Sequence, residues 1–162
     1  MKKISLSLIT LLILGACQKE SQTIANVDEH DSSLQSNKEA TQRAGRPFIV
    51  VLTGAQEAPG PGDPDGSGIA ELYLNQGQGT INYSITVSGI AEVTGAHIHR
   101  APIGVAGPVV VPLSALANGT MTGEVSVEPE LIKEIRQNPS AFYVNVHSVE
   151  YRPGAVRGQL AK

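Results

Sequence analysis

Short stretches in which apolar and polar residues alternate recur through residues 46–162, and stretches rich in glycine or proline separate them. In TINYSITVSG, for example, Ile81, Tyr83 and Ile85 alternate with polar residues, which is the period of a strand with one buried face. The segments of this kind are 47–54, 68–75, 80–89, 95–100, 108–113, 123–128, 141–149 and 155–161. Their spacing predicts an all-β fold, an antiparallel, Greek-key-like β-sandwich of about eight strands.

One segment, EPELIKEIRQNP at 128–139, has the spacing of a helix instead. Pro129 suits a first helical turn, and the Asn-Pro pair at the end is a stop signal. Leu131, Ile132 and Ile135 fall on one face. We therefore expect one short helix of about two to three turns, packed across an end of the sandwich.

The start of the chain has the features of a bacterial lipoprotein signal peptide. Lys2 and Lys3 precede an uncharged, mostly apolar stretch at 4–14, which is well short of the roughly 20 residues that a helix needs to cross a bilayer. The residues LGAC at 14–17 resemble a lipobox, in which the cysteine becomes the lipidated first residue of the mature protein. We therefore expect Cys17 to carry acyl chains such as palmitate.

Cys17 is the only cysteine, so no intrachain disulfide can form and lipid attachment best explains this thiol. Several acyl chains on one residue anchor a protein far more firmly than one chain does. We expect an exported protein that is lipid-anchored to the bacterial cell envelope, at the outer membrane where the cell has one, and that does not span the membrane.

The chain divides into three parts. Residues 1–17 are the predicted signal peptide, 18–45 a polar and flexible tether, and 46–162 one globular domain. The net charge of −3 comes without a basic patch, which argues against nucleic acid as a partner. The expected partners are the membrane, through the anchor, and an extracytoplasmic protein or glycan.

Three predicted strands carry an unusual set of polar residues. In GAHIHR, His97 and His99 project from the same face, because side chains alternate along a strand. The polar members of YVNVHS and AVRGQL are Tyr143, Asn145, His147, Arg157 and Gln159. If the three strands are neighbours, these polar rows meet on one face of the sheet.

Two interpretations of the histidines remain open. His97, His99 and His147 form a mononuclear metal site in the first, and neutral imidazole favours copper or zinc. A site with three protein ligands keeps a position open for water or a substrate. In the second, histidine and asparagine side chains bind carbonyls of the Gly/Pro loop, and Arg157 pairs with a carboxylate such as Glu57. The sequence favours this polar network slightly.

The same polar rows also permit a binding function without a metal. Tyr143, Asn145, Arg157 and Gln159 would then line a groove for a glycan or a peptide. The position of His147 relative to the other two histidines distinguishes the metal site from these alternatives.

A second motif resembles a calcium loop. DPDGSG at 63–68 matches the opening of an EF-hand, with Asp63, Asp65 and Ser67 at ligand spacing. The loop needs a bidentate glutamate at its twelfth position, which Leu74 occupies here. A turn between two strands is the better interpretation.

Motifs for enzymatic chemistry are missing from the sequence. It contains no P-loop, no G-x-S-x-G elbow and no H-E-x-x-H pair, so no catalytic residue is predicted. The leading hypothesis is a non-enzymatic binding or structural module at the cell envelope, and the alternative is a mononuclear copper- or zinc-binding protein.

Four segments in order resemble the successive motifs of one family, the CHRD domain, which is named from chordin. They are LTGAQEAPG at 52–60, DGSGIAELYL at 65–74, GAHIHR with the following GPVVVPL, and YVNVHSVEYRPGAVRGQL at 143–160. The resemblance implies a secreted β-sandwich domain and binding in an extracellular setting, and it implies no enzyme activity.

Overall fold

The computed structural model describes residues 45–114 and 119–162. The predicted signal peptide, its Cys17 and the predicted tether as far as residue 44 lie outside the described residues. Within the two described ranges, no helix has the length and apolar character needed to cross a membrane.

The described residues form strands close to the predicted segments. These are β1 (Phe48–Thr53), β2 (Ser67–Asn75), β3 (Thr80–Ser88), β4 (Val93–Arg100), β5 (Val109–Leu113), β6 (Thr120–Ser126), β7 (Phe142–Ser148) and β8 (Val156–Gln159). The largest shift is in β6, which begins at Thr120 rather than at residue 123. The prediction of an all-β fold of about eight strands is confirmed.

All eight strands belong to one sheet, in the order β5-β4-β7-β8-β1-β2-β3-β6, and each pairing is antiparallel. The sheet curls until it is nearly a barrel. Val111 of edge strand β5 and Met121 of edge strand β6 accordingly belong to the same hydrophobic cluster. Curling hides one face of every strand from water, and this burial supplies the main driving force for folding.

The core follows from the alternation along each strand. In β3, Ile81, Tyr83 and Ile85 are buried, and the residues between them are more exposed. Each fully buried side chain of this size stabilises the fold by roughly 1.5–3 kcal/mol relative to exposure.

The helix α1 (Pro129–Gln137) is present where the sequence predicts it. It begins with proline in its first turn and buries Ile132 and Ile135. It packs against β2 and β3, where the Nη1 atom of Arg136 donates to the Leu74 carbonyl oxygen at 3.3 Å. The helix covers part of β2 and β3, and its Glu134 also pairs with Arg100 at the end of β4 at 2.6 Å.

The strand order brings distant parts of the chain together. β7 lies between β4 and β8, and it pairs with both in antiparallel register. The three strands that carry the polar rows are consequently adjacent, as a shared polar face requires.

Candidate metal centre

Strands β4 and β7 place three histidines on one face of the sheet. In the pairing of these strands, His97 lies opposite Asn145 and His147 lies opposite Gly95. His147 is therefore a diagonal neighbour of His97 across the strand pair, at a spacing that long side chains can bridge. His99 lies two residues further along β4 and points the same way.

The three imidazole rings converge. One ring nitrogen from each of His97, His99 and His147 lies within 4.8 Å of the other two. The closest approach, 2.9 Å, joins the Nδ1 atom of His97 and the Nε2 atom of His147. Residues 50 positions apart therefore meet at hydrogen-bond distance.

Main-chain carbonyls determine which nitrogens carry protons. The Nδ1 atom of His99 lies 2.8 Å from the Gly107 carbonyl oxygen, and the Nδ1 atom of His147 lies 2.9 Å from the Arg152 carbonyl oxygen. A carbonyl oxygen only accepts, so both Nδ1 atoms donate and both Nε2 atoms carry a lone pair in the neutral ring. Histidines that bind metals are usually oriented by such a hydrogen bond from the second ring nitrogen.

His99 has the most constrained environment of the three. Its side chain is buried, and its ring stacks on that of Tyr143, with centroids 4.8 Å apart and planes 9° apart. Within the described residues, its Nε2 atom has no hydrogen-bond partner. An unsatisfied buried polar atom costs about 1–3 kcal/mol, so a ligand at this nitrogen would remove a real penalty.

Burial also favours the neutral forms of His97 and His147. The pKa of His97 is lowered, first by desolvation and then by the neighbouring His147 and His99. Desolvation also lowers the pKa of His147, although its bond to the Arg152 carbonyl opposes that shift. Neutral imidazole is the form that binds metal ions.

A loop between β4 and β5 covers the polar face. Arg157 holds this loop, since its Nη1 atom donates to the Val105 carbonyl oxygen at 2.8 Å and its Nη2 atom to that of Pro102 at 2.9 Å. The guanidinium carbon also lies 3.4 Å from the centroid of the Tyr143 ring. Arg157 thus binds loop carbonyls, a role that the polar-network interpretation gave to histidine and asparagine side chains.

Gln159 and Tyr143 also bind the loop between β4 and β5. The Nε2 atom of Gln159 donates to the Ala101 carbonyl oxygen at 2.9 Å, and the Gly107 amide donates to the Tyr143 hydroxyl at 3.2 Å. A Cβ atom at Gly107 would collide with the main chain of Arg100, so only glycine permits this close approach.

The predicted open groove is therefore occupied by the protein's own loop. Tyr143, Asn145 and Arg157 are at most 3 % exposed, and Gln159 is half-buried. The sequence placed these side chains on the face opposite the core, which is where they lie. The polar-network interpretation expected the carbonyls of the Gly/Pro loop to be bound at this face, and this loop buries the side chains of Tyr143 and Arg157.

Glu57 lies near this face without an ion pair to Arg157. Its carboxylate hydrogen-bonds the Ala58 amide and the Asn145 side chain, while its Oε1 atom is buried without a partner in the described residues. Desolvation raises the pKa of Glu57 to about 7, although these hydrogen bonds and the charge of Arg157 oppose the shift. Glu57 and Arg157 therefore interact through their charges, but they form no salt bridge within the described residues.

The DPDGSG segment forms a turn before β2. The Asp65 amide donates to the Oδ1 atom of Asp63 at 3.0 Å, and the Gly66 amide donates to the Asp63 carbonyl oxygen at 3.2 Å. Asp63 uses its carboxylate to hold this turn. Neither aspartate belongs to a metal-compatible cluster within the described residues.

The site contains groups that the sequence analysis did not single out. The main-chain carbonyls of Gly107 and Arg152 orient two of the rings. Main-chain groups leave no signature in residue type, so only the folded loops reveal them.

The CHRD domain model matches residues 48–160. The chain belongs to the CHRD domain family. The matched range contains all eight strands, the helix and the three histidines, so the resemblance of the four sequence motifs is confirmed. No curated protein and no solved structure matches the chain significantly.

Proposed function

We propose that this CHRD domain binds one copper or zinc ion through His97, His99 and His147. The observation that carries the proposal is the buried Nε2 atom of His99, which has a free lone pair and no partner among the described residues. One ring nitrogen of His99 lies within 4.8 Å of a ring nitrogen of His97 and of His147.

The spacing of the nitrogens suits one ion after small ring movements. Two nitrogens bound to one tetrahedral zinc at about 2.0–2.1 Å stand roughly 3.3–3.4 Å apart. Here the ligand atoms lie within 4.8 Å of one another, and the closest pair is 2.9 Å apart. Binding would require the closest pair to open slightly and the more distant nitrogens to approach one another.

The ion would replace a proton. The Nε2 lone pair of His147 accepts the hydrogen on the Nδ1 atom of His97 in the metal-free cluster. An ion between these nitrogens would take the position of that hydrogen, and the proton would move to the Nε2 atom of His97, which keeps the ring neutral. Metal binding would thus relocate one proton at this pair.

The type of donor argues for copper or zinc. All three ligands are neutral imidazoles, and within the described residues no aspartate, glutamate or cysteine joins the group. Imidazole donors suit copper and zinc, whereas calcium and magnesium require oxygen ligands.

The domain acts as a binding module at the cell envelope in this proposal. The lipobox-like LGAC sequence and the apolar stretch before it support export and lipid attachment at Cys17. The polar network is the rival explanation, in which the same histidines only orient loops. The two explanations differ in whether a metal ion is retained.

Metal analysis of the full-chain protein tests the site. We expect one copper or zinc ion per chain after dialysis against a weak chelator, and its loss in His97→Ala, His99→Ala and His147→Ala. His30→Ala is the matched control, because His30 is the fourth histidine of the chain and belongs to the predicted tether.

Spectroscopy separates loss of ligands from loss of structure. The Cu(II)-loaded protein should show electron paramagnetic resonance coupling to imidazole nitrogens, and this coupling should decrease in each cluster variant whose circular dichroism is unchanged. Metal content that is equal in wild type and in His99→Ala would overturn the proposal and support the polar network.

Cell fractionation tests the anchor independently. Cys17→Ser should move the protein out of the membrane fraction, because the acyl chains would have no attachment point. Continued membrane association of that variant would contradict lipid anchoring without bearing on the metal site.

A further inference from the structure

A cleft of about 440 Å³ opens directly beside the histidine cluster. Its lining consists of Thr94, Gly95, His97, His147, Val149 and Arg152. The volume falls within the roughly 300–1,000 Å³ of small-molecule sites. Two proposed metal ligands therefore form part of a wall that a small molecule can reach.

The cleft has a positive and unpaired side chain. Arg152 is the only charged residue type in the lining, and none of the lining residues bears a carboxylate. Arg152 forms no salt bridge within residues 45–114 and 119–162. Its main chain is held in place because its carbonyl oxygen accepts the His147 Nδ1 hydrogen bond. Arg152 is exposed and lines the cleft, and no carboxylate of the described residues pairs with its guanidinium.

The cleft also has an apolar wall. Val149 is 48 % exposed although it belongs to the lining, and Thr94 beside it is exposed as well. Gly95 leaves the floor open, since a Cβ there would meet only the edge of the His97 ring at 4.0 Å. An organic group that enters can cover Val149 and remove apolar surface from water.

We propose that this cleft binds a small organic carboxylate as the fourth ligand of the metal ion, which rests on the proposed three-histidine site. Three protein ligands leave one coordination position open. One carboxylate oxygen occupies that position, the other pairs with the Arg152 guanidinium, and the short alkyl group contacts Val149. Arginine is suited to this role because its planar fork matches carboxylate geometry.

Cobalt spectroscopy tests the inference in the full-chain protein. Co(II) in place of the native ion reports its coordination through visible absorption, so acetate and then butyrate are titrated into the Co(II)-loaded protein. We expect a saturable spectral change, with butyrate binding several-fold tighter than acetate because it covers Val149. Acetamide, which is neutral, should produce no change.

Charge variants identify the role of Arg152. Arg152→Gln should weaken acetate binding about tenfold while the cobalt stoichiometry is unchanged, and Arg152→Lys should restore part of it. Lys133→Gln is the charge-matched control, because Lys133 lies on α1, away from the cleft. Its acetate affinity should equal that of wild type.

The outcomes separate the two proposals. Stoichiometric cobalt with a spectrum that acetate and butyrate leave unchanged would overturn the carboxylate site and leave the metal site standing. Equal acetate affinity in Arg152→Gln and Lys133→Gln would also overturn it. A protein that binds no cobalt, copper or zinc would overturn the metal site and the carboxylate site together.

Discussion

The outward-facing side chains of β1 and β7 differ in exposure in the opposite sense to their polarity. On β1, Ile49 and Val51 face outward and are 57 % and 61 % exposed, although both are apolar. On β7, Tyr143 and Asn145 also face away from the core, yet they are buried although they are polar. Hydrophobicity alone would reverse these assignments.

The difference shows that the polar face of β7 is buried at a cost in free energy, and that specific hydrogen bonds offset this cost. Burial of polar groups costs free energy unless each finds a partner, so a covered polar face requires a specific set of hydrogen bonds. Arg157 and Gln159 provide those bonds to the covering loop. The open face of β1 needs no such arrangement, and single exposed apolar residues are common on protein surfaces.

The largest expected effect is loss of the loop cover. Arg157→Met would remove the charged donor of the Val105 and Pro102 carbonyl oxygens, and a hydrogen bond to a charged group contributes about 1.5–3 kcal/mol. We expect the free energy of unfolding in urea to fall by about 3 kcal/mol. Copper or zinc retention should fall too, because the Gly107 carbonyl that orients His99 lies in the same loop.

A loss below about 1 kcal/mol in Arg157→Met would show that the loop is held by other contacts. Lys133→Gln serves as the control, since its exposed pair with Glu130 contributes little. Such a small loss in Arg157→Met would mean that the hydrogen bonds of the covered face contribute little to the free energy of unfolding.

Two valine-to-threonine changes compare the core with the open face of β1. The change in the core, Val146→Thr, has the second-largest expected effect on stability. Val146→Thr puts a hydroxyl on the completely buried face of β7. We expect a loss of about 2 kcal/mol in urea unfolding, because the hydroxyl loses its water without gaining a dedicated partner. An unchanged midpoint would mean that the buried face tolerates polar groups.

Glu57 should make stability depend on pH. Its folded pKa of about 7 exceeds its ordinary value of 4.5, so the folded state holds the proton more tightly. This contribution is fully present below pH 4.5 and is lost as the pH rises through about 7. Glu57→Gln should therefore be more stable than wild type at pH 8, by about 1–2 kcal/mol after allowance for solvent screening.

Urea unfolding of the metal-free protein at pH 4 and pH 8 measures this difference. The stability gap between Glu57→Gln and wild type should be small at pH 4, where the wild-type carboxyl is protonated in both states. A gap that is equal at the two pH values would contradict the raised pKa.

The smallest effect is expected on the open face. Val51→Thr makes the same chemical change as the β7 variant, at a side chain that is already 61 % exposed. Its free energy of unfolding should stay within about 0.5 kcal/mol of wild type. A loss comparable to that of Val146→Thr would mean that another surface covers β1 in the intact protein.

The contrast also shows how far the sequence was informative. The strands and the helix followed from local patterns, because alternation along a strand and apolar spacing along a helix reflect which face is buried. The shared direction of His97 and His99 followed from the same rule. The approach of His147 did not, because it depends on β7 lying beside β4 with Gly95 opposite His147.

The burial of the polar face could not be predicted from local sequence patterns either. Tyr143, Asn145 and Arg157 alternate with core residues as outward-facing residues do, and this alternation is the same whether water or a loop lies above them. The loop carbonyls that bind Arg157 belong to residue types that carry no hydrogen-bonding side chain. The residue types at these loop positions therefore do not identify them as hydrogen-bond partners of Arg157.

The sequence by itself determined the all-β class, the limits of most strands, the position of the helix and the CHRD family, since each depends on neighbouring residues or on short motifs. The tertiary structure decided that three imidazoles meet, that two carbonyls orient them and that a cleft with Arg152 opens beside them. The physical reason is that strand order and loop placement are set by burial across the whole domain, which no short window of residues contains.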